Sequence, residues 1–165
     1  MARIDRNLGI AACVTALLLL VAAAVGGRAL AAPPVPPAVS NAWIRLPVVA
    51  GRPAALYATI AGGAMADRLI AVEGPKPARF ELHATKAENG VMRMVPLVGL
   101  PVNAGQKIEM KPGGMHVMVF SLPATKPDSS VPLTFVFEKA GRVVVSAHAM
   151  SATAPDMKAG EHAHH

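Results

Sequence analysis

The chain has 165 residues, of which 53% are hydrophobic, 4% aromatic and 16% charged. That is enough for one domain with a real core and too little for two comfortable ones, and it excludes both a coiled coil and a disordered acidic chain. The net charge of +6 falls to +4 once residues 1–31 are set aside, and the remaining lysines and arginines are scattered without aromatic interleaving, which excludes a nucleic-acid partner.

Residues 1–31 read as a secretory signal peptide. Arg3 and Arg6 form a basic start, Leu8 to Gly27 carry no charge, and Ala29-Leu30-Ala31 offers the small-x-small pattern for cleavage before Ala32. The uncharged run is also near the length that spans a bilayer, so an uncleaved anchor is the other reading, and the only membrane attachment expected. Either way the rest of the chain is expected outside the cytoplasm, in the periplasm. Ile10-Ala11-Ala12-Cys13 resembles a lipoprotein cleavage box, but it stands near the beginning of the apolar run instead of after it. Lipidation is not expected there. Cys13 is the only cysteine, so the mature chain has no disulfide, thiolate ligand or cysteine nucleophile.

Residues 32–38, rich in proline, are expected to form a stiff extended spacer, and residues 39–150 a single domain. Short β-branched segments punctuated by Gly and Pro follow in order: AWIRLPV, AALYATIAG, DRLIAVEG, RFELHATKA, VMRMVPLV, QKIEMKPGG, MHVMVFSL, VPLTFVFEKAG and RVVVSAHAM. None sustains a 3.6-residue apolar period, which predicts an all-β sandwich or barrel. Asn89-Gly90 is a two-residue hairpin signal. It sets Glu88 opposite Val91 and His83 opposite Pro96, with Met94 diagonal to His83 on the same face. After Val145 the pattern fades, and residues 151–165 are expected to be a flexible tail.

Two His-Met pairs stand out: His83 and Met94, then His116 and Met118 one residue apart on a strand. If the two regions meet, four side chains surround one point. Thioethers suit Zn²⁺, Mg²⁺ and Ca²⁺ poorly, whereas Cu(I) accepts thioether and imidazole together. Neutral ligands leave the ion's charge unneutralised, so affinity rests on softness and geometry, and the ion can be passed on. Trp43 and Tyr57 are read as core aromatics, Met65, Met110 and Met115 as packing residues, and Met92, which shares the face of Met94, as a surface or rim residue, with a substitute ligand as the other reading. Asp67 and Arg68 are read as orienting a loop or forming an ion pair, and the glycines before Met115 as letting the backbone turn beneath the site.

The pattern H-x10-M-x21-H-x-M resembles the motif of the periplasmic copper chaperones called PCu(A)C. The resemblance runs from about Val39 to Val145 and includes Ala42-Trp43, Arg45, Asp67-Arg68-Leu69, Glu81-Leu82-His83, Gly90-Val91-Met92-Arg93-Met94, Lys111-Pro112-Gly113-Gly114 and Phe137-Glu138-Lys139-Ala140-Gly141. It implies a cupredoxin-like Greek-key β-sandwich whose Cu(I) ligands map onto His83, Met94, His116 and Met118. Many members have Met directly after the first His, and here that place is Ala84.

The implied function is a chaperone that carries Cu(I) to the CuA site of cytochrome c oxidase or to an intermediate carrier; the alternative is copper sequestration or resistance without a dedicated client. No Ser-His-Asp or paired-carboxylate arrangement stands out, so an enzyme is not expected. His148, Met150, Met157, His162, His164 and His165 are candidates for a second copper, held as Cu(II), for which imidazole is well suited.

Overall fold

A computed structural model describes residues 34–155, which contain ten strands and no helix. These are β1 (Ala38–Arg45), β2 (Ala54–Ala61), β3 (Asp67–Glu73), β4 (Arg79–Glu88), β5 (Val91–Pro96), β6 (Leu100–Val102), β7 (Lys107–Glu109), β8 (Met115–Phe120), β9 (Ser130–Phe137) and β10 (Gly141–Met150). Alternation of buried and exposed residues, clearest along β9, is what a strand covered on one face produces.

The strands hydrogen-bond in the order β5-β4-β8-β2-β1-β10-β9-β3-β6, with β7 pairing to β2. All pairs are antiparallel except β1 with β10. Inward residues from β4 through to β6 in that order, including Leu82, Val117, Leu56, Ile44, Ala149, Phe135, Leu69 and Leu100, form one buried cluster. The sheet therefore wraps around a single core, giving an all-β, cupredoxin-like sandwich. Fully buried Phe135, Phe137, Ile44, Leu56 and Ile60 are its largest members; burying each such side chain stabilises the fold by about 1.5–3 kcal/mol before conformational entropy is counted.

The β4–β5 hairpin has the register that Asn89-Gly90 predicts, with Glu88 opposite Val91 and His83 opposite Pro96. Both turn residues have positive φ, 51° and 78°, as a type I′ turn requires. β5 lies at one end of the strand order, where Pro96 is tolerated.

Three local expectations need correcting. Trp43 and Tyr57 are buried but do not belong to the core cluster. Tyr57 follows the alternation of β2, whose Leu56, Ala58 and Ile60 face the core. For Trp43 the cause is a bulge in β1: Ser40 pairs with Thr59 and Trp43 with Tyr57, so Asn41 and Ala42 together face one residue of β2. Asn41 takes the left-handed conformation, φ 50°, that such a bulge uses. The extra residue turns Trp43 away from the core. Met65 is exposed, whereas Met110 is buried in the core and Met115 packs against it. The proline-rich segment is not wholly a spacer, because Pro37 is buried and the Val35 carbonyl accepts the Ala64 N–H at 2.9 Å.

Candidate metal centre

β4 and β8 pair with His83 directly opposite His116, and cross-strand partners share a face. Their ring centroids are 6.0 Å apart. Two residues along β8, Met118 lies opposite Glu81, so it occupies the same face on one side of the histidine pair. On the other side Met94 lies opposite Thr85, two residues from His83, again on that face. The structure thus brings both His-Met pairs onto one patch of three adjacent strands, turned away from the core residues Leu82 and Val117. Exposure is graded across the four. His116 is 6% exposed and the His83 side chain 16%, while Met94 is 60% exposed.

Each imidazole has a distinct neighbour. Nδ1 of His116 lies 3.2 Å from the Gly114 carbonyl, to which an Nδ1–H donates, leaving Nε2 as the free donor atom. Gly114 sits in the turn between β7 and β8, where Gly113 has φ 76°, and the Gly114 carbonyl also accepts the Thr85 N–H at 3.2 Å. The glycine turn therefore sets both the strand pairing and the imidazole. Nε2 of His83 lies 3.4 Å from Glu81 Oε2, while its Nδ1 is buried without a partner. A buried nitrogen with no hydrogen bond is costly unless something else takes its lone pair. A soft cation bound there would do so.

Glu81 was not singled out as functional in the sequence, although its i, i+2 relation to His83 is the signal that finds it. It also pairs with Arg79 at 3.0 Å. On the far side of His116 stands an aromatic pair: the Tyr57 ring is 6.3 Å from His116 and the Trp43 ring 4.4 Å from Tyr57. Arg45 lies over Trp43 at 5.1 Å.

Of the candidates for a second site, His148 and Met150 lie on β10, opposite Trp43 and Arg45. His148 Nε2 is 3.4 Å from Asp128 Oδ1. Met157, His162, His164 and His165 lie outside the described residues. Among the described residues, no three His, Cys, Asp or Glu side chains gather into a metal-binding group. The donor set at β4 and β8 is two imidazoles flanked by two thioethers.

The all-β fold places the chain in a class, the PCuAC-type domain, and solved structures of that class resemble it. The copper-bound PCuAC domain from PmoF2 is 24% identical with TM-score 0.59, covering 73% of this chain and 97% of that one, and supports the fold alone. The apo PmoF2 PCuAC domain is 25% identical with TM-score 0.61, covering 74% and 95%. The apo PCuAC domain from PmoF1 is 27% identical with TM-score 0.58, covering 73% and 98%. The chain belongs to the LpqE-like family, whose model matches residues 37–149. No curated protein matches it.

Proposed function

We propose that the protein is an extracytoplasmic copper chaperone that binds one Cu(I) through His83, Met94, His116 and Met118 and passes it to the CuA site of cytochrome c oxidase or to an intermediate carrier. The observation that carries this reading is the in-register pairing of His83 with His116, flanked on the same face by Met118 and Met94. The family match over residues 37–149 and the likeness to PCuAC domains at 25–27% identity support it. The donors are neutral and soft, which favours Cu(I) over hard divalent ions.

Glu81 places a carboxylate beside His83, so the added positive charge of the ion has a nearby counter-charge without a direct bond to it. With no thiolate or tightly chelating carboxylate among its ligands, the ion is held by geometry and can be surrendered to a client with stronger soft donors. The leader that would export the domain lies outside the described residues, and the periplasmic location is part of the proposal.

Anaerobic Cu(I) titration of the full chain should saturate at one equivalent, with X-ray absorption showing both sulfur and nitrogen neighbours. Met118→Leu conserves volume, so its cost in stability should stay below about 1.5 kcal/mol while Cu(I) affinity falls. A spectrum with only nitrogen and oxygen neighbours, or normal binding by the leucine variant, would refute the ligand set. A chain that binds Cu(I) but is dispensable for oxidase activity at limiting copper would be a copper-sequestering protein.

A further inference from the structure

The β4–β5 hairpin carries a third thioether that the four-ligand site does not use. Met92 lies opposite Ala87, Met94 opposite Thr85 and Pro96 opposite His83, so Met92 and Met94 stand on the same face as His83, at successive outward positions. Both are 60% exposed, on a strand at one end of the strand order. Alternate residues on a strand are about 6.6–6.8 Å apart, and each methionine has three rotatable side-chain bonds. Two such sulfurs can reach one ion between them. Burying an exposed methionine would be the normal way to use its apolar surface, and here neither is buried.

Exposure gives the four ligands an order of release. His116 is nearly enclosed, His83 has a small opening, and Met94 is open to solvent. An incoming donor therefore meets the ion from the Met94 side, and Met92 is the next soft atom on that path. Val91, on the same strand, is also exposed, so an acceptor can approach the hairpin without displacing a packed layer.

We propose that Met92 and Met94 form an outer two-thioether Cu(I) station through which the ion enters and leaves the histidine pair. The proposal rests on the four-ligand reading above. As the ion moves outward, a Cu–Sδ bond to Met92 forms while its bonds to His83, His116 and Met118 break, and Met94 stays attached. Copper remains Cu(I), the imidazoles remain neutral, and no proton or electron is transferred. The station is a transient site, because two thioethers alone bind more weakly than the full set.

The test separates rate from affinity. The full chain and Met92→Leu are loaded anaerobically with one Cu(I), and stopped-flow absorbance follows transfer to the chromophoric chelator bathocuproine disulfonate, with equilibrium affinity measured separately by competition. Met92→Leu should bind with unchanged affinity and give up its copper several-fold more slowly, while Met94→Leu should lose affinity. Wild-type transfer rates in Met92→Leu would overturn the station and leave the four-ligand site standing. An affinity loss in Met92→Leu equal to that of Met94→Leu would also overturn it, because Met92 would then be a permanent ligand. Failure of the wild-type chain to bind Cu(I) would sink the four-ligand reading, and the station with it.

Discussion

His116 and Tyr57 show how much one side chain's surroundings decide. The imidazole is nearly buried on a face that is not the core, held by the Gly114 carbonyl on one side and flanked by the Tyr57 ring on the other. Trp43 packs against Tyr57 with its ring tilted by 31° and is the only tryptophan. Its emission should therefore respond to the metal. One equivalent of Cu(I) is expected to change Trp43 fluorescence, and His116→Ala to abolish the change; an unaltered spectrum through saturation would show that the rings and the site are uncoupled. The four residues proposed as ligands were legible as residue types at telling intervals, and the structure brings them to one patch. The place of Trp43 was not, because it depends on a left-handed Asn41, and nothing in the local alternation marks that residue as the bulge. Glu81 was overlooked because an acidic residue on a strand is ordinarily a solvated one.

Among the elements, the β4–β5 hairpin was readable to the residue, since a two-residue turn fixes every pair that follows from it. β6 was not, because Pro101 interrupts a three-residue strand that survives only as the edge partner of β3, opposite Arg68. Nor could the chain alone say that β4 pairs with β8, since that register is set by the whole sheet closing on its core. The β9–β10 turn shows another long-range device. Asp67, at the start of β3, accepts the N–H groups of Arg68 at 2.7 Å, Lys139 at 3.0 Å and Ala140 at 2.9 Å. Of its two sequence readings, the structure supports loop orientation. Burial pushes its carboxyl pKa up, but these backbone donors together outweigh burial and hold it below the ordinary value.

A lowered folded-state pKa means stability that is present above the unfolded pKa and lost as pH falls through the folded one. Asp67→Ala should therefore destabilise the domain by about 1–3 kcal/mol at neutral pH, and the gap to wild type should close in acid below the ordinary aspartate range. Denaturant melts at several pH values measure this. A gap independent of pH would mean that packing, and not the ionised carboxylate, is responsible.

At the scale of the whole molecule, the paired histidines would tie a bound copper to the fold. His83 and His116 belong to strands far apart in the chain, and Met94 sits on the sheet's end strand. An ion bonded to all of them is a cross-strap over β5, β4 and β8, and it can bind only when these strands are paired. Free copper at a hundred times the dissociation constant would add about 2.7 kcal/mol to the folded state, a rise in melting temperature on the order of 10 °C for a domain of this size. Calorimetry of loaded and empty protein tests it, and equal melting temperatures would show that the site makes no bridge. A chain acting as the proposed carrier would announce its own cargo: on losing copper, the β4–β5 hairpin would lose its strap and open more often, and a protease should cut the empty protein there faster than the loaded one.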